Sequence, residues 1–152
     1  MALETHSEKF TQFANIEHYK SGDEKKSHIE LSAFNGYVMQ LRIAFYNQPC
    51  AIFKSMQIFV NNNPLLENTS PDFWRFMDTH MNGIEEISEY PIYSCTFQTK
   101  HDIHNSCFAT NRVPSYIEIE WDDFFDFETN IVISASIFNE LTYQAGLITI
   151  KY

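Results

Sequence analysis

The apolar positions of this chain keep two rhythms, near-helical spacing in much of the first half and alternation after about residue 90. Thr5 and Glu8 stand three apart, the spacing at which a hydroxyl and a carboxylate cap a helix reciprocally. Phe10, Phe13, Ala14 and Ile16 follow at helical intervals, so residues 6–20 are predicted to form a helix ending at Ser21-Gly22-Asp23. Ile29, Leu31 and Ala33 then alternate with polar residues, as do Tyr37, Met39, Leu41, Ile43 and Phe45. These two runs read as a hairpin. A two-residue Asn35-Gly36 turn would set one strand's apolar face beside the other's polar face. A three-residue loop, Phe34-Asn35-Gly36, with Gly36 in the left-handed conformation, restores the match.

Ile52, Phe53, Met56, Phe59 and Val60 fall on one helical face, with Pro49 before them and Asn61-Asn62-Asn63-Pro64 as a stop. Residues 49–61 are therefore expected to be helical. Ser70-Pro71 reads as an N-cap and first turn, followed by a stripe of Phe73, Phe76, Met77, His80, Met81 and Ile84. Beyond Pro91 the pattern is that of strands. Ile92–Thr99 is rich in β-formers, and Ile117, Ile119 and Trp121 alternate with Tyr116, Glu118 and Glu120. Ile131, Ile133, Ala135 and Ile137 make another inward face, Phe138-Asn139-Glu140 a short connection, and Leu141–Tyr152 a last strand with a bend at Gly146. The expected fold is a single α+β domain over residues 1–152. Its antiparallel sheet would carry about three helices on one face.

Composition sharpens this picture. A hydrophobic share of 44% with only nine Pro and Gly residues describes a chain that folds, and 16% aromatics favour sheet. Acids outnumber bases 20 to 10, leaving a net charge of −10. That field repels phosphate backbones and anionic headgroups, so neither direct nucleic-acid binding nor membrane binding is expected. Cys50, Cys95 and Cys107 make no disulfide framework, and the first residues show no secretory leader, which together imply a cytoplasmic protein.

The most distinctive stretch is an acidic block, Glu118, Glu120, Asp122, Asp123, Asp126 and Glu128, interleaved with Trp121, Phe124, Phe125 and Phe127. Its bland reading is a solvated strand face and loop. Its functional reading is an interface in which carboxylates steer a basic partner while Trp121 or the phenylalanines Phe124, Phe125 and Phe127 provide anchors. Calcium is disfavoured, because the alternating acids and central glycine of an EF-hand loop are missing. His101, His104 and Cys107 lack the companions of a zinc site, and no activated nucleophile or phosphate-cradling loop is present. No catalytic residue, metal or cofactor is therefore expected.

The leading expectation is an acidic inhibitor or toxin-neutralising, immunity-type protein that masks a basic partner, such as a toxin or nuclease, by electrostatic occlusion. One alternative is a small-molecule-binding or enzymatic α+β cup lined by aromatics. Another is a self-assembling structural subunit whose aromatics are buried between copies.

Overall fold

The computed structural model describes residues 5–46, 53–66, 69–76, 92–96, 108–109, 113–144 and 147–151. In chain order these form β1 (Thr5–Lys20), β2 (Lys26–Glu30), β3 (Tyr37–Tyr46), β4 (Phe53–Val60), β5 (Asn63–Pro64) and α1 (Pro71–Phe76). Then come β6 (Ile92–Thr96), β7 (Phe108–Ala109), β8 (Ser115–Trp121), β9 (Thr129–Gln144) and β10 (Leu147–Lys151). The large sheet runs β1-β9-β3-β6, with β10 also on β9 and β7 also on β3. The small sheet runs β2-β8-β4-β5. Every pairing is antiparallel. The chain passes from one sheet to the other at each step from β1 through β4, then between β5 and β6, between β7 and β8, and between β8 and β9. Two facing sheets threaded this way form a jelly roll.

Alternation explains the core. Ile131, Ile133, Ala135 and Ile137 of β9 and Val38, Leu41, Ile43 and Phe45 of β3 are buried on the large sheet's inner face. They meet Ile117, Ile119 and Trp121 of β8 and Phe53, Met56 and Ile58 of β4. Each fully buried isoleucine contributes about 2 kcal/mol relative to an exposed one. The helix α1 adds a single anchor. Ser70 Oγ accepts from Phe73 N at 3.3 Å, the cap seen in the sequence, and Trp74 is buried with Nε1 donating to Met56 O at 2.9 Å. The residues of that helical stripe from Met77 onward lie outside the described part.

The α+β expectation is corrected to a β-sandwich with one short helix among the described residues, and each difference has a physical reason. Residues 6–20 are strand, not helix, because all of β1 pairs with β9, from Thr5↔Gln144 to Lys20↔Thr129. Phe13 is not part of the buried face but stands outward, 82% exposed. Within 49–61, the described residues from Phe53 on are strand as well. A register shift between Phe53 and Ser55 puts Phe53 and Met56, three apart, on the same buried face, which imitates helical spacing.

The 29–45 hairpin does not exist, since β2 pairs with β8 and β3 with β9. Leu31–Phe34 instead crosses between the sheets, with Phe34 N donating to Leu31 O at 3.0 Å. A second shift, between Val38 and Gln40, buries Val38 where Tyr37 and Met39 were expected. Finally, Phe138-Asn139-Glu140 is no connection; β9 continues through it to Gln144, and β10 pairs back on its end. The strands at Ile92–Thr96, Ser115–Trp121 and Ile131–Ile137 are as expected. Gly146 lies outside the described residues.

Gly36 does adopt a positive φ, +129°, although in a crossing between sheets. A Cβ there would strike Asn139 Oδ1 and Ile137 Cγ2. Asn139 is itself buried and donates through Nδ2 to Gln12 Oε1 at 2.5 Å, so it has little freedom to move. Gly36→Ala is expected to cost about 3 kcal/mol from backbone strain and overpacking, read as a lowered urea midpoint. A midpoint within error of wild type would contradict this placement.

Candidate functional site

The acidic block is divided by the fold. Glu118 and Glu120 project from the outer face of the small sheet, half-buried, opposite His28 and Lys26 on β2 and Gln57 and Ser55 on β4. Lys26 Nζ lies 3.9 Å from Glu118 Oε1. A shallow depression beside them is lined by Ser55, Gln57, Phe59, Glu118 and Glu120. Its amide is already committed: Gln57 Oε1 accepts from Leu66 N at 3.0 Å and Nε2 donates to Leu66 O at 2.8 Å. Trp121 points the other way, into the core, where Nε1 donates to Ser27 Oγ at 2.8 Å and the ring stacks on Phe125 at 5.4 Å. It cannot anchor a partner.

Residues 122–128 form the β8–β9 loop. Phe124 N donates to Asp122 Oδ1 at 3.1 Å and Phe125 N to Asp122 O at 2.9 Å, which shapes a tight turn. Phe124 projects from that turn, 89% exposed. Asp123 meets Lys54 Nζ at 3.0 Å, and this partner holds the Lys54 ammonium above its usual range. Asp126 and Glu128 are exposed, and a hydrogen bond from Tyr19 to Glu128 pushes the phenol's pKa up. The six carboxylates thus occupy a sheet face and the loop that follows it, and two of them, Glu118 and Asp123, meet lysines from other strands.

Beneath the loop is a buried lysine that sequence reasoning overlooked. Lys20, the last residue of β1, donates through Nζ to Ser21 O at 3.0 Å and Phe127 O at 2.9 Å. The ammonium also sits 5.2 Å from the Trp121 ring centroid and 5.0 Å from that of Phe125. Burial pulls its pKa down, against the opposing pull of Glu24. Lys20 therefore ties the acidic loop to the end of the large sheet.

Among the described residues no three His, Cys, Asp or Glu side chains gather as a metal site. His101, His104 and Cys107 lie outside those residues. Among the described residues, the interior between the sheets is packed with aromatic rings rather than open as a cup. Phe45, Phe53, Trp74, Tyr93 and Trp121 meet largely edge to face, with centroids 5.4–6.4 Å apart. Sequence reasoning also missed the outer face of the large sheet. Register lines up Tyr19, Asn130 and Tyr46 in one row, and Glu17, Val132, Ala44 and Ile92 in the next. Phe13, Tyr19, Tyr46 and Ile92 are all exposed there. The available signal was parity: Phe13 and Tyr19 are out of step with Ala14, Ile16 and His18.

The strand order and the filled interior define a jelly-roll protein of the double-sheet type. No protein-family model and no curated protein matches the chain. Solved structures do. The fold is similar to the PBCV-1 virus capsid, with a TM-score of 0.68 and 12% identity over 98% of this chain and 52% of that one. PBCV-1 VP54, fitted into a reconstruction of the virophage Sputnik, matches with a TM-score of 0.64, 12% identity and 99% and 52% coverage. The major capsid protein P2 from bacteriophage PM2 matches with a TM-score of 0.59, 11% identity and 86% and 45% coverage. The chain therefore spans about half the length of the proteins it resembles, and at these identities the likeness is one of fold. With these capsid proteins as its structural neighbours, the reading as an inhibitor or immunity-type protein with a basic partner is withdrawn.

The lysine tie yields a test. A lysine whose folded pKa is depressed binds fewer protons folded than unfolded, so its contribution to stability rises with pH from that depressed value up to the usual 10.5. Its neutral amine still has two protons for the two carbonyls. Lys20→Met keeps the aliphatic packing but strands both carbonyls, which should cost about 1–3 kcal/mol. The gap between wild type and variant should widen as pH rises toward 10.5 in denaturant titrations. A gap that narrows over that range would refute the assignment.

Proposed function

We propose that this chain is a self-assembling structural subunit, a jelly-roll building block of a protein shell. The carrying observation is where its large apolar side chains are exposed. Phe13, Tyr19, Tyr46 and Ile92 lie on the outer large sheet, Phe124 and Phe127 on the β8–β9 loop, Leu65 after β5 and Ile148 on β10. A binder of one ligand concentrates such groups in one cleft. A subunit with neighbours on several sides distributes them, because each contact needs its own desolvated anchors. The capsid proteins similar in fold support the same reading.

Charge then sets the conditions for assembly. Copies carrying −10 each repel one another at long range, and salt screens this repulsion within about 10 Å at 0.1 M. The apolar contacts are not screened. Sedimentation velocity should therefore show mass rising with protein concentration, and rising further between low and moderate salt. A basic-partner protein would behave oppositely, losing its complexes as salt increases. A chain that stays monomeric at high concentration and at every ionic strength would overturn the proposal.

A further inference from the structure

Among the described residues, the sheet edges are blunted by short strands except at β1. Among the described residues, β5 is two residues long and contains Pro64, β7 is two, and β2, β6 and β10 are five each. Short strands, proline and alternating charge, as in Lys26, His28 and Glu30 of β2, are the usual devices that keep an edge from recruiting another strand. The strand β1 has neither of the first two. It is sixteen residues long, contains neither proline nor glycine, and pairs with β9 without any register shift. It ends the large sheet, so its far edge carries no strand among the described residues. On this edge strand Phe13 is 82% exposed.

We propose that β1 is the contact through which two copies of this chain join, antiparallel, about a twofold axis at Phe13. The inference rests on the self-assembly reading above and specifies its geometry. Charge selects the occupant: β1 carries Glu8 and Glu17 against Lys9 and Lys20, so it is net neutral in a chain of −10. A second acidic copy meets less repulsion here than at the loop end of the sandwich, where Asp23, Asp123, Asp126 and Glu128 are exposed.

Register is selected by pattern. Opposed residues in an antiparallel pair share a face, so odd positions of β1, which point outward from Thr11 to Tyr19, must face odd positions of the second copy. With Phe13 opposite itself, Lys9 falls opposite Glu17 of the second copy, Glu8 opposite His18, and Phe10 opposite Ile16. Symmetry makes each of these pairs twice. The two large sheets would become one continuous sheet, with their small sheets on the same side.

Cysteine cross-linking tests the register. Opposed Cβ atoms lie about 4.5–5.5 Å apart, close to the reach of a disulfide. Phe13→Cys should therefore give a covalent dimer under mild oxidation, with mass spectrometry identifying a peptide pair bridged through position 13 of both copies. Asn15→Cys should not, because its two copies would be about 14 Å apart along the strands. A charge swap supplies the independent arm. Glu17→Lys should weaken dimerisation about tenfold in sedimentation equilibrium at fixed salt, and adding Lys9→Glu should restore it. Lys9→Glu also faces Glu140 across the β1–β9 ladder, so the melting of each variant is followed alongside. Cross-linking at position 13 with rescue by the swap supports the proposal. Association of the wild type without either effect overturns β1 as the contact while leaving self-assembly standing. A wild type that never associates overturns both.

Discussion

The ladder between β1 and β9 is the constraint on which the rest of the molecule depends. It joins residues 5–20 to residues 129–144, and β3 then builds on the other side of β9. Because strand side chains alternate, fixing this one register decides which residues of the large sheet enter the core. It also delivers Lys20 to the sandwich end, beneath Phe127 and against Trp121 and Phe125. The acidic loop is held in place by a strand that lies far from it in the chain. Pairings of such long range form late and slowly, since loop closure must precede any gain from contact.

The inward faces at Ile117–Trp121 and Ile131–Ile137 were legible from their alternation, while the end of β9 and most of the first half were not, for identifiable reasons. Ile117, Ile119 and Trp121 lie on regular strand, so period two reads through directly. In β4 the register shift beside Phe53 moves the buried set from one parity to the other, and a period-two pattern with a slip resembles a helical one. In β1 the misleading residue is Phe13, an exposed phenylalanine that reads as core in any count of apolar spacing. The cap at Ser70 and the positive φ at Gly36 are legible because both are properties of a few neighbouring residues, although the hairpin expected around Gly36 is not formed. Which sheet each strand joins is decided by distant partners, and no short window contains that information.

The same division holds for the site. Six carboxylates in one short stretch were visible, but the strand-to-loop change at Trp121 separates them, and Lys26 and Lys54 come from other strands to meet two of them. Exposed aromatics could not be found by composition, since an exposed and a buried phenylalanine look alike in sequence. Placed in three dimensions, they change the physical problem. An acidic surface that keeps copies apart coexists with apolar groups that favour bringing them together, and a neutral edge strand is where the two demands conflict least.

Residue-resolved amide hydrogen exchange along β1, at a protein concentration low enough to keep single copies, tests the central claim most directly. An edge strand bonds inward through every second amide only, so protection should alternate from residue 10 to residue 20, while β9 is protected at consecutive positions from Asn130 to Phe138. Raising the concentration should then protect the remaining β1 amides. Protection at consecutive β1 positions in single copies, as a helix would give, or none at all, would contradict the account.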